Sequence, residues 1–167
     1  MSCVFCQIIE GQGTPLCLET PDFVAFPDTR PIRPGHLQLI PRICVDCFED
    51  LPGPLAGAWM QLGQRIARVL KSVYHAPRVG FVVSGHEVAH VHAHLIPLHA
   101  PDDITSARYA KIPNRVDPEV VALEGERLRQ ALDGVSLEPC LRREVLRGHE
   151  VMVLSAASLV LARKKGR

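Results

Sequence analysis

His90, His92 and His94 alternate with Val91 and Ala93 and run into Leu95-Ile96-Pro97. A period of two suits a strand, on which the three imidazoles share one face with neighbours ~6.6 Å apart. On a helix His90 and His94 would share a face and His92 would point elsewhere. A single histidine on an apolar element is ordinarily a hydrogen-bonded structural residue. Three on one face are costly to desolvate unless each has a partner or a chemical role. Two kinds of chemistry fit: a transition-metal site, and a nucleophilic or acid–base site for phosphorus chemistry.

Cysteines supply a second cluster. Cys3-Val4-Phe5-Cys6 is a CxxC, Cys44-Val45-Asp46-Cys47 is another, and Cys17 and Cys140 have no evident partner. Met1–Cys6 lacks a basic start and a long apolar run. A cytoplasmic location is therefore expected, with the six cysteines as thiols or metal ligands before disulfides.

The elements that must position these groups follow from periodicity. The first CxxC opens a short helical turn that ends at Gly11, Gly13 and Pro15. Cys17 to Glu19 and Phe23 to Phe26 read as a hairpin around Pro21-Asp22, and His36 to Pro41 as a third strand after a proline-rich loop over Asp28 to Gly35. Cys44 to Asp50 and Pro54 to Val73 form the helical part, with Leu55, Trp59, Leu62, Ile66, Val69 and Val73 as its core stripe. Gly80 to Ser84 and Val88 to Pro97 give two more strands. The order implies an α+β domain with a mostly antiparallel sheet. Asp117 to Leu132 reads as a helix that buries Val121, Leu128 and Leu132 and leaves its Glu and Arg residues as a solvated face. Glu138 to Arg167 could be a packed terminal helix, a subunit contact or a surface-binding element; packing is preferred, which makes residues 1–110 the core and 111–167 a helical extension of the same domain.

A chain of 167 residues with 47% hydrophobic and 22% charged residues can bury its own core. Its net charge of +1 removes the simplest argument for broad nucleic-acid binding. The longest apolar stretch, Val151 to Ala162, is too short to span a bilayer. Neither nucleic acid nor membrane is expected as a partner.

Four separated features, in order, resemble the histidine triad (HIT) superfamily of nucleotide hydrolases and transferases, in its bacterial form with an N-terminal CxxC. They are the CxxC with Ile8-Ile9, Phe26-Pro27-Asp28, the Pro34-Gly35-His36 to Ile40-Pro41 strand, and the triad strand. The resemblance implies a HIT-like fold: an antiparallel sheet of about five strands with a long helix on it, often as a homodimer. It implies attack by His92 on the α-phosphorus of a purine nucleotide phosphoramidate or dinucleoside polyphosphate, through a nucleotidyl-histidine intermediate. His94 would then bond a phosphate oxygen or the leaving group, His36 would set the histidine network, and backbone of His90 would orient His92. Asp28 would take ribose hydroxyls, and Val4, Phe5, Ile8 and Phe26 would sandwich the base.

Three departures from the family pattern bear on chemistry, the first being a shortened loop with Val82-Val83-Ser84 where an asparagine is expected, which bears on substrate scope. His86-Glu87 stands where members carry Gln-Ser or Gln-Thr beside the phosphate. In zinc-containing members a histidine follows the Ile-Pro strand end, and here that position is Cys44. The implied zinc set is Cys3, Cys6, Cys44 and His90, with Cys47 as a rival fourth ligand. Two other function classes stay open: a nucleotide-binding regulatory module without turnover, and a metalloenzyme whose triad holds the metal.

Overall fold

A computed structural model describes residues 3–85, 87–104, 116–135, 141–146 and 149–154. The expected hairpin is present: β1 (Leu18–Glu19) pairs antiparallel with β2 (Phe23–Pro27). Thr20 closes its turn, the hydroxyl accepting the Phe23 N–H at 2.9 Å and donating to the Phe23 carbonyl at 3.1 Å. β2 then pairs with β3 (Leu37–Pro41), β3 with β5 (Ala93–Leu98), and β5 with β4 (Arg78–Val82). The five-stranded sheet therefore has the order β1-β2-β3-β5-β4 and is antiparallel throughout.

Side chains on alternate positions go to opposite faces of this sheet. One face carries Phe23, Ala25, Leu37, Leu39, Ala93 and Leu95 against helix α2 (Gly53–Val73), whose Leu55, Trp59, Leu62, Ile66 and Leu70 complete the main core. The buried indole of Trp59 donates to the Leu39 carbonyl at 3.2 Å, which meets its polar requirement. On the other face the short helix α1 (Val4–Ile9) covers Val24, Phe26 and Ile40 with Phe5 and Ile8. Helix α3 (Pro118–Ala131), capped by the Asp117 carboxylate on the Glu119 N–H, adds Leu128, with Leu132 just beyond it, to the main core.

Several expectations need correction. Cys44 to Asp50 is not a helix, and only Phe48–Asp50 forms a single 3-10 turn ahead of Pro52. The α2 stripe continues through Leu70 rather than Val69, because at about 100° per residue Leu70 stays in line with Trp59 and Ile66 while Val69 rotates to the flank. β4 begins two residues earlier than expected, directly after Pro77, and β5 begins only at Ala93. His90 and His92 thus precede the strand, yet the alternation persists: Val91, Ala93 and Leu95 enter the main core while His90 and His92 lie against Phe5. The terminal segment is not helical over Leu141–Leu146 (β6) and His149–Leu154 (β7), which pair antiparallel with each other. No helix of the described residues is long and apolar enough to cross a membrane.

Two glycines of α2 report how closely it lies on the sheet. A Cβ at Gly57 meets nothing within 4 Å, whereas one at Gly63 falls 2.5 Å from Cε2 of Phe81, a ring already packed edge-on against Trp59. Gly57→Ala is expected to stabilise the fold by about 0.5–1 kcal/mol, the ordinary helix gain. Gly63→Ala is expected to cost about 1–3 kcal/mol, because overpacking outweighs that gain. Urea unfolding of both variants checks this, and stabilisation by Gly63→Ala would refute the close approach of α2 to β4.

Candidate functional site

Where α1, the end of β3 and the approach to β5 converge, Cys3, Cys6, Cys44 and His90 bring one donor atom each to within 4.8 Å of one another. His90 Nε2 lies 2.9 Å from the Pro41 carbonyl. A carbonyl oxygen can only accept, so Nε2 carries the proton and Nδ1 presents a lone pair. That lone pair faces Cys3 Sγ at 3.5 Å and Cys6 Sγ at 3.7 Å. A tetrahedral zinc with Zn–S of about 2.3 Å and Zn–N of about 2.05 Å has S···N edges of roughly 3.6 Å, which both separations match. Electrostatics agree: burial first, then the crowded Cys44 and Cys3 thiols, push the Cys6 thiol up to about 12. A Cys6 thiolate is thus disfavoured until a cation takes up its charge. Cys47 stands outside this group, so the set that closes is the one with His90.

His92 is 4% exposed, and its Nδ1 lies 2.8 Å from the His90 carbonyl. By the same reasoning Nδ1 carries the proton and Nε2 is left with its lone pair. Burial lowers the His92 pKa against the opposing pull of that carbonyl, so the ring is neutral at pH 7. The rings of Phe5 and His94 meet His92 edge-on at 5.1 Å each. His90 and His92 are therefore neighbours in sequence with opposite tautomers: one offers Nδ1 to a metal, the other offers Nε2 to an electrophile.

A third group, Asp28, His36 and His94, also brings its ligand atoms within 4.8 Å. Hydrogen bonding argues against a metal there. The Ile32 N–H donates to His36 Nδ1 at 3.1 Å, so Nε2 must hold the ring proton and is not free to ligate. His36 Nε2–H instead donates to His94 Nδ1 at 3.0 Å. His94 then keeps its own proton on Nε2, where it can donate to a ligand. Burial holds the His36 pKa down at about 4, opposed by Asp28 and aided by His94, so the His36 ring stays neutral at physiological pH. Asp28 lies 3.5 Å from both rings and accepts the Arg30 N–H at 2.7 Å and the Gln38 amide at 2.8 Å. Burial works against its charge, but the donors gathered around it more than compensate and hold its carboxyl well below the usual range.

Of the other residues singled out in the sequence, Phe5, Ile8 and Phe26 form one buried wall, while Val4 is 47% exposed on the same helix. Phe5 and Phe26 meet edge-on at 5.4 Å. Glu87 does not face a phosphate position unopposed: it pairs with Arg30 at 2.6 Å. His86 lies outside the described residues. Three contributors escape a reading of the sequence. Gln38 sits directly across from His94 in the β3–β5 register, a position that strand alternation alone could have flagged. Arg33 and Asp103 form a pair at 2.7 Å, and Asp103 also accepts the His99 and Ala100 N–H groups at the turn after β5. Burial opposes the Asp103 charge, yet these partners hold it at about 2.

The HIT domain model matches residues 12–100. A HIT-like protein of Mycobacterium tuberculosis is 30% identical over 138 residues, spanning 79% of this chain and 94% of that protein. An adenosine 5'-monophosphoramidase of Saccharomyces cerevisiae is 33% identical over 98 residues, 58% of this chain and 62% of the yeast protein. Among solved structures, a zinc-bound histidine triad family protein from Mycobacterium smegmatis superposes with a TM-score of 0.64 at 30% identity, covering 80% of this chain and 94% of the other. With the five-stranded sheet, three histidines on one face and the match over residues 12–100, the chain belongs to the HIT family.

Proposed function

We propose that this protein is a nucleotide hydrolase or nucleotidyl transferase that cleaves at the α-phosphorus of a purine nucleoside phosphoramidate or dinucleoside polyphosphate. The observation that carries the reading is the 2.8 Å contact of His92 Nδ1 with the His90 carbonyl, which leaves Nε2 as the nucleophilic lone pair. His92 Nε2 attacks phosphorus as the bond to the leaving nitrogen or phosphate breaks, and the ring becomes a cation stabilised by the His90 carbonyl on Nδ1–H. A leaving amine takes its proton from water. Water then cleaves the P–N bond to His92, releasing the nucleoside monophosphate and restoring the neutral ring. His94, its Nδ1 occupied by His36, donates Nε2–H to a phosphate oxygen and stabilises the charge that develops there.

The base lies along the wall of Phe5, Ile8 and Phe26, and Asp28 keeps lone pairs for ribose hydroxyls beyond its bonds to Arg30 and Gln38. The exposed Arg30–Glu87 pair partly offsets the repulsion that the Glu87 charge would exert on a phosphate. The name of the yeast relative supports a phosphoramidate as first substrate to try. His92→Gly is expected to lower turnover of adenosine 5'-phosphoramidate by about a thousand-fold or more, with nucleotide affinity within several-fold. Full turnover by that variant would refute the assignment.

Zinc is the metal that the Cys3, Cys6, Cys44 and His90 donors fit, and held there it would be structural, because all four donors come from the protein. Held there, it would tie α1, and with it the Phe5 ring that abuts His92, to the end of β3. Metal analysis of protein prepared without chelators is expected to give about one zinc per chain, and Cys3→Ser with Cys6→Ser to remove it and lower thermal stability. Metal-free wild type would exclude the site.

A further inference from the structure

Arg33-Pro34-Gly35-His36 is a turn closed by the His36 N–H on the Arg33 carbonyl at 3.0 Å, with Gly35 at φ +82°. Proline in second place and a left-handed glycine in third are the marks of a type II turn. The peptide unit between those two residues is the part that inverts when such a turn changes type, and its N–H belongs to Gly35. That N–H donates to Oε1 of Glu124 at 2.5 Å, a residue 89 positions later on α3 and beyond the matched residues 12–100. The same oxygen accepts the Tyr74 hydroxyl at 2.8 Å. Tyr74 fills the space above Gly35, where a Cβ would collide with its ring, and Arg127, one helical turn after Glu124, lies 4.8 Å over that ring.

The residue after this turn is His36. Its ring is held by the Ile32 N–H and holds His94 in turn, so the turn peptide sets the origin of the whole His36–His94 chain. We propose that Glu124 is a positioning residue for His94: by holding the Gly35 N–H it locks the turn and keeps His94 Nε2–H on the phosphate side. The proposal rests on the nucleotidyl-transfer reading for its kinetic consequence, although the placement of the rings does not.

Full-length zinc-loaded protein provides the test, with Glu124→Ala, Glu124→Asp, Glu124→Gln and the exposed α3 control Glu126→Ala. Imidazole nitrogen NMR without substrate reports the His36–His94 bond, and steady-state kinetics with adenosine 5'-phosphoramidate report its use. Glu124→Ala is expected to shift the His36 Nε2 signal and lower kcat about tenfold with KM within about twofold. Glu124→Asp, which keeps the charge but falls short of Gly35, should do the same in part and serves if the alanine variant does not fold. Glu124→Gln, whose amide oxygen accepts from both donors, should restore signal and kcat, and Glu126→Ala should match wild type. Unchanged imidazole signals in Glu124→Asp, or damage in Glu124→Gln equal to that in Glu124→Asp, would overturn the proposal. A wild type without turnover would instead sink the catalytic reading, leaving the NMR signals to decide the role of Glu124.

Discussion

Main-chain groups set the proton on three of the four clustered histidines, and the rest of the site depends on that. The Pro41 carbonyl holds His90 Nε2–H, the His90 carbonyl holds His92 Nδ1–H, and the Ile32 N–H occupies His36 Nδ1. Each contact frees the opposite nitrogen for a different role. His90 turns a lone pair toward thiols, His92 turns one toward an electrophile, and His36 gives a proton to His94. A buried imidazole with the wrong tautomer would leave a donor facing a donor or an acceptor facing an acceptor, at a cost of ~1–3 kcal/mol each. The fold selects the tautomers because β3, β5 and the proline-rich loop bring those backbone groups to fixed places.

The same logic separates two clusters that look alike as inventories of ligands. Cys3, Cys6, Cys44 and His90 present lone pairs or ionisable thiols to a common centre, while Asp28, His36 and His94 already satisfy one another. The first set calls for a cation, and the second conducts a hydrogen-bond chain to the site. α1 joins them, since Cys3 and Cys6 flank Phe5 and the Phe5 ring touches both His90 and His92. A metal held by the cysteines and the proposed nucleophile would thus meet through one ring on a six-residue helix.

Much of this arrangement is legible in the chain. Alternation from His90 to Leu95 identifies which residues face the core, even though the regular strand begins only at Ala93, because an extended approach keeps the period of two. The resemblance to zinc-containing family members implies Cys44 as a ligand, from its place after Ile40-Pro41. Tautomers are not legible, because their partners are backbone atoms that any residue supplies. Glu124 reads as a solvated helix residue because its partners, Gly35 and Tyr74, are remote in sequence. The β6–β7 pairing is obscured because an apolar terminal stretch suits a helix as well as a strand.

Long-range proton–nitrogen NMR of the imidazoles in zinc-loaded protein tests the division of labour most directly. The account predicts a proton on Nδ1 of His92, protons on Nε2 of His36, His90 and His94, and a metal-shifted Nδ1 for His90. A proton on Nε2 of His92 would contradict it, because the nucleophilic lone pair would then face the His90 carbonyl.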